Sequence, residues 1–242
     1  MKKTIIAFMG LAGVAMAEEE VSFSGTFNGT SFVTSGKLEM SSIICSTTTF
    51  KTPSYLGDGV PAGTTYLAPD QNMSSGSWNI SFTLTNKNEE AITLRYIMLD
   101  SFIFTSGGTQ HENDGKPRYV SFTLNALNGG SSAALGSTEV GFTWKVAQVD
   151  EDGEPVYNDK AEQVYVNYRY TDADATIALT TPLEISAGGS AQLQLVVSAG
   201  SNGNGGSFVG LKGATFSNVP EPTTATLSLL ALAGLAARRR RR

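Results

Sequence analysis

Trp78-Asn79-Ile80-Ser81-Phe82-Thr83-Leu84-Thr85 alternates a large apolar residue with a polar one over eight positions. Successive side chains of an extended chain leave opposite faces, so this stretch has one apolar side and one polar side. A period of two over this length predicts a half-buried strand.

The same period recurs on both sides. Downstream, Ile92, Leu94, Tyr96 and Met98 alternate, while Ile97 and Leu99 point the other way, which predicts a strand covered on both faces near its end, or a bulge. Phe102 with Phe104 reads as a third strand and Val120, Phe122 and Leu124 as a fourth, followed by a flexible Asn128-Gly129-Gly130-Ser131-Ser132. Val140, Phe142, Trp144 and Val146 alternate, as do Val164, Val166, Tyr168 and Tyr170. Ile177 with Leu179, Leu183 with Ile185, and Leu193, Leu195 and Val197 continue the pattern, and Phe208 to Phe216 is the last strand. Ala187-Gly188-Gly189 reads as a tight turn. Upstream, residues 18 to 51 are rich in Ser, Thr and Gly and predict one or two short strands. Residues 52 to 76 carry seven Gly and Pro residues and predict a long, functional or mobile connection. No amphipathic helix stands out before the tail. Ten to twelve strands with Gly, Pro and Asn punctuation predict an all-β fold, two antiparallel sheets packed as a β-sandwich of jelly-roll or immunoglobulin-like type.

Both ends of the chain read as addresses. Lys2 and Lys3 precede an apolar run from Thr4 to Val14, and Ala15-Met16-Ala17 offers small residues before Glu18. This is the pattern of a signal peptide over residues 1–17, cut between Ala17 and Glu18 by signal peptidase after export through Sec-type machinery. At the other end, Pro220-Glu221-Pro222 precedes fifteen uncharged residues and then Arg238, Arg239, Arg240, Arg241 and Arg242. As a helix those fifteen residues span ~22 Å, against a hydrocarbon core of ~30 Å. Leucine contributes only about −0.5 kcal/mol at a helix centre and alanine little, so the segment is a weak transmembrane helix. The arginines stay cytoplasmic and can shorten the gap by snorkelling.

This PEP motif, short apolar helix and terminal Arg cluster resemble the PEP-CTERM sorting signal of bacterial surface proteins, also named the "ice-binding protein C-terminal domain". That name describes a shared tail rather than an activity. The resemblance covers residues 219–242. It implies recognition at Pro220, Glu221 and Pro222 by exosortase, a membrane protease-transpeptidase, with the arginines as the stop-transfer element. It further implies release or attachment at the outer surface, often within exopolysaccharide. A plain anchor left in place is the competing reading of the tail.

Between the ends lies an ectodomain, residues 18–218. Of the 17 basic side chains, two are Lys2 and Lys3 and five are the terminal arginines, which leaves ten against 21 of the 22 acids, a net −11. Such a surface repels nucleic acid phosphate and anionic lipid, which excludes nucleic-acid binding. Cys45 stands alone, so no internal disulfide forms; it reads as a small buried hydrophobe, with intermolecular pairing or lipid attachment as the functional readings.

Candidate chemistry is thin. Asp150, Asp152 and Glu154 share a face if extended, near the spacing of jelly-roll glycosidases, but Gly153 and Pro155 interrupt the strand. The ordinary reading is a turn through Asp152-Gly153, and calcium is the alternative ligand for these carboxylates. Asp172, Asp174 and Asp114 are further candidate ligands. His111, the one histidine, lies in a polar loop, and no nucleophile elbow, P-loop or metal-ligand spacing accompanies it. Tyr157, Tyr165, Tyr168 and Tyr170, with Trp78 and Trp144, are candidates for glycan contact, although at strand spacing such residues also build cores. The sequence therefore predicts an exported, non-enzymatic surface or matrix protein without cofactors, associated with polysaccharide. A carbohydrate-binding module, or a glycan-degrading enzyme using loop 150–154, are the alternatives.

Overall fold

A computed structural model of the chain describes residues 22–34, 36–51, 63–74, 76–105, 118–142, 145–148, 150–167, 170–201 and 207–218. The segments read as signal peptide and sorting tail lie outside the described residues, as do His111, Asp114, Trp144 and Tyr168. Among the described residues thirteen strands occur: β1 (Ser22–Asn28), β2 (Ser31–Thr34), β3 (Leu38–Cys45), β4 (Ser77–Asn86), β5 (Ile92–Thr105), β6 (Arg118–Asn128), β7 (Ser131–Phe142), β8 (Lys145–Ala147), β9 (Tyr165–Asn167), β10 (Tyr170–Asp172), β11 (Ala175–Ile185), β12 (Ser190–Ala199) and β13 (Ser207–Ser217). Among the described residues no helix is long and apolar enough to cross a membrane.

Two antiparallel sheets hold most of the strands. One has the order β10-β5-β13-β1-β2, with β11 also pairing β5; the other has the order β3-β4-β12-β6-β7. The alternation of residues 78–85 is realised in β4, where Trp78, Ile80, Phe82 and Leu84 are buried and Asn79, Ser81, Thr83 and Thr85 lie on the outer face. Their partners across the interior come from the first sheet. Phe27, Ile97, Leu99, Ala214 and Phe216 close with Met40, Ile80, Phe82, Leu124 and Leu195 around an apolar void of ≈ 10 Å³. A gap of that size is about one water, so the two faces interdigitate at the density of a protein interior.

The structure differs from the pattern reading in several places, among them the division of the Val140–Val146 and Val164–Tyr170 stretches into β7 with β8 and β9 with β10, and the joining of Ile177 and Leu179 with Leu183 and Ile185 in the one strand β11. Phe102 and Phe104 belong to the same 14-residue strand as Ile92, not to a third one. Within β5, Ile92 and Leu94 join the core and then, one step out of phase, so do Ile97, Leu99 and Ile103. Opposite this point the register of β11 shifts between Ala178 and Leu183, the bulge that the mixed parity announced. Residues 18–51 supply three strands rather than one or two, because Asn28-Gly29-Thr30 turns the chain and Leu38 and Met40 are buried in β3. Asn128 to Ser132 is no flexible linker: Gly129 and Gly130 adopt φ 58° and 93° and form the two-residue turn of the β6–β7 hairpin. The described part of the connection before β4, residues 63–74, is also not free. Leu67 and Met73 are buried in the main core, and Leu67 exchanges backbone hydrogen bonds of 2.8 Å with Leu211.

The sandwich has two unlike ends. Ser22 pairs with Ser217, so β1 starts beside the point where β13 finishes. At this proximal end the turns are short: Gly36-Lys37, residues 87–91, Gly129-Gly130 and residues 186–189. Asn86 ties two of them together. Its Nδ2 donates to the carbonyls of Glu90 (2.8 Å), Ile185 (3.0 Å) and Ser186 (3.1 Å), while its Oδ1 accepts from the Asn88 backbone N–H at 2.9 Å. Lys87 N–H donates to the Lys37 carbonyl at 2.7 Å, adding a third turn. The long connections, residues 46–76, 106–117, 143–169 and 200–206, all join strands at the opposite, distal end.

Candidate functional site

The acidic stretch 150–154 forms the first turn of an arm rooted at the distal end. Asp150 Oδ1 accepts the backbone N–H groups of Asp152 (3.0 Å) and Glu154 (2.9 Å), and Gly153 takes φ 84°. This is a side-chain-closed turn, in which Asp150 replaces backbone partners and Gly supplies the left-handed residue. The motif repeats eight residues on. Asn158 Oδ1 accepts from Lys160 (2.9 Å) and Glu162 (3.0 Å), and Ala161 holds the left-handed position at φ 59°. Between the turns the chain folds back on itself: Val156 N–H bonds to the Gln148 carbonyl at 2.9 Å, and Val164 N–H to the Val156 carbonyl at 2.8 Å. The arm's root is the β8–β9 pair. Asp152 and Glu154 are exposed, and among the described residues no three His, Cys, Asp or Glu side chains converge as a metal site.

Of the aromatic candidates, the structure describes the side chains of Trp78 and Tyr157. Trp78 is 1 % exposed and belongs to the core, which removes it from any glycan-contact role. Tyr157 stands on the arm at 59 % exposure. Tyr170 lies in β10, where its backbone pairs with Phe104 of β5. Cys45 is half-buried at the end of β3 and packs against the core, and burial pushes its thiol pKa up, the environment of a packing residue more than of a nucleophile.

Two polar surfaces were not singled out by sequence reasoning. The first is an open groove of ≈ 370 Å³ on the outer face of the first sheet, running across β1, β13, β5 and the start of β11. Gly213 borders it; a Cβ there would sit 2.8 Å from the Gly25 carbonyl oxygen, so the depression depends on the missing side chain. The register of β13 shifts between Leu211 and Gly213, which makes Lys212 the extra residue of a bulge. Lys212 Nζ reaches Asp100 Oδ1 and Asp172 Oδ1, both at 2.8 Å. Asp174 lines the groove beside them. Burial, then the neighbouring Asp100, push its carboxyl above the usual range, opposed by the Lys212 charge. Asp172 and Asp174 thus come together, with Asp100 and Lys212, but not with the arm. The sequence held a signal for this: Asp100 interrupts the apolar run from Ile97 to Phe104.

The second surface is the outer face of the other sheet. Asn79, Ser81 and Thr83 on β4, Gln192 and Gln194 on β12, and Thr123 and Asn125 on β6 lie side by side without a charge. Asn125 Nδ2 donates to Gln194 Oε1 at 3.4 Å, and Gln194 Nε2 donates to Asn79 Oδ1 at 3.3 Å. Amide and hydroxyl groups arranged this way can donate and accept hydrogen bonds without selecting a charge.

The remaining site residues, Ala15, Ala17 and Glu18 at one end and Pro220, Glu221, Pro222 and Arg238 to Arg242 at the other, lie outside the described residues, but the points at which both segments leave the fold are clear. β1 begins at Ser22, and β13 ends at Ser217, which is 1 % exposed, followed by Asn218 at 5 %. No curated protein matches the chain. Residues 218–242 match the family model of the PEP-CTERM protein-sorting motif, which implies an exported, surface-directed protein processed by an exosortase-type enzyme.

Proposed function

We propose that the protein is a non-enzymatic cell-surface or extracellular-matrix protein, delivered by its sorting tail and held among exopolysaccharide. The observation that carries this reading is the sorting motif following directly on the last strand of the sandwich. On this reading the tail is a transient anchor, with its arginines cytoplasmic until the chain is cut and released or attached. Mass spectrometry of the surface form tests it: the mature chain lacks Arg238 to Arg242 and begins at Glu18. Replacing Pro220-Glu221-Pro222 by alanines traps the precursor in the membrane. A surface form that keeps the arginines leaves a plain anchor as the better account.

A second reading, carbohydrate binding by the ectodomain, draws on the uncharged amide and hydroxyl face of β4, β12 and β6. Polysaccharide hydroxyls pair with such groups at little electrostatic cost to an acidic protein. A glycan array separates the two: no binding at millimolar sugar removes the second, whereas binding lost on Gln194→Leu establishes it. In loop 150–154, Asp150 Oδ1 is engaged in closing the turn, which leaves the exposed Asp152 and Glu154 as the carboxylates for glycan cleavage. Polysaccharide hydrolysis abolished by Asp152→Asn would overturn the non-enzymatic reading.

A further inference from the structure

We propose that the proximal end of the folded sandwich is itself a contact surface for the enzyme that processes the tail. This rests on the sorting reading above and adds to it a partner-facing surface on the ectodomain. The first residue of the sorting motif, Asn218, is also the last described residue of the fold, and it is buried. Its neighbour Ser217 is 1 % exposed and pairs with both Ser22 and Tyr96, in a strand held between two others. The motif therefore has no slack on its ectodomain side.

Chain geometry turns this into a distance. From Asn218 to Thr223, where the uncharged run starts, there are five residues, which reach at most ~17 Å when fully extended. The headgroup region takes up ~5–7 Å of that on one side of a bilayer. What remains is ~10 Å, about the width of one helix with its side chains. An enzyme acting on Pro220-Glu221-Pro222 in that gap has no room to avoid the turns beside Asn218. Those turns suit a close approach. They are short, Asn86 ties residues 87–91 to residues 186–189, and no long connection hangs below them among the described residues. The distal arm, by contrast, is free of this constraint.

The test adds bulk at one end or the other of the full-length chain in cells that process it. A ten-residue tag between Gly129 and Gly130 enlarges a proximal turn whose Cα positions face open space. The same tag between Asp159 and Lys160 enlarges the arm. Pulse-chase labelling reads conversion of precursor to mature form, and protease resistance of the ectodomain confirms that each variant is folded. The expected result is that the proximal tag slows conversion about tenfold and the arm tag leaves it unchanged. A twelve-residue Gly/Ser spacer after Asn218 then restores the rate of the proximal variant. Equal conversion of the two folded variants overturns the inference while leaving the sorting reading standing, and so does a proximal variant that the spacer fails to rescue. A wild-type chain that is never converted sinks both.

Discussion

The proximal and distal ends of the sandwich are built from the same strands and are organised in opposite ways. The proximal end joins strands by turns of a few residues, buries the last residue of the fold, and ties its turns through one amide side chain. The distal end carries the long connections and an arm whose two turns are closed by their own Asp150 and Asn158 side chains. The two turns of the arm close on partners within the arm itself. The difference teaches where tolerance to change lies: substitutions near the chain exits act on the fold, and substitutions on the arm act on whatever the arm meets.

The largest effect that would break this contrast belongs to Phe216. It is the last large inward side chain of β13, 2 % exposed among Ile97 and Ile80. Phe216→Ala is expected to cost ~3–5 kcal/mol by chemical denaturation of the full chain. Asn86→Ala comes next. It leaves the Ile185 and Glu90 carbonyls short of a donor in a mostly buried place, for an expected loss of ~1–3 kcal/mol. A loss below ~0.5 kcal/mol would show that the proximal turns hold themselves, as the distal ones do.

On the arm the expected changes are small or favourable. Ala161 occupies a left-handed position that costs a Cβ-bearing residue ~1–2 kcal/mol, so Ala161→Gly is expected to stabilise the arm, by less than that because glycine is freer when unfolded. Hydrogen exchange of Val164 and Val156 amides reads the effect locally. Tyr157→Ala removes an exposed ring and is expected to change stability by no more than ~0.5 kcal/mol. A glycan-binding loss in that variant without any change in melting would assign the arm a contact role.

The groove lies between the two ends and adds a pH signature. Because the Asp174 pKa is raised in the folded state, the folded protein binds more protons there than the unfolded chain between the two pKa values. Its contribution favours the fold at low pH and is lost as pH rises through the folded pKa. Asp174→Asn is therefore expected to raise the melting temperature at pH 7 and to leave it unchanged near pH 3. A drop at pH 7 would mean that its hydrogen bond from Ser101 outweighs its burial.

How much of this was legible in the sequence follows from physical range. Strand β4 was plain because every second residue from Trp78 to Leu84 is large and apolar, and that signal needs no partner to be read. The joint within β5 was visible as mixed parity at Ile97 and Leu99, but its length was not, since a bulge looks like a strand end when the opposing strand is unknown. The Gly129-Gly130 turn was misjudged because two glycines fit a loose linker and a tight hairpin equally, and only the flanking pairing separates them. In the Asp100-Lys212-Asp172 group, Lys212 lies 40 positions from Asp172 and 112 from Asp100; the break at Asp100 marks a polar site, but no local pattern says which residues meet there. The turn at Asp150 was readable for the opposite reason, because everything that closes it lies within five residues.

The pairing of Ser22 with Ser217 also sets the order in which the molecule can be completed outside the cell. β1 leaves the export channel first, yet apart from its hairpin partner β2 its neighbour in the sheet is β13, which leaves last. β5 waits for the same strand along ten positions. Until the final ectodomain residues have emerged, the first sheet is open down its middle and the two unfinished edges face each other across an empty strand position. On the proposed reading, in which the arginines halt the chain, the pause comes just after the last strand the sheet needs has been released. Vectorial export and closure of the fold would then end on the same residue, with the halted tail holding β13 at the place where it must insert.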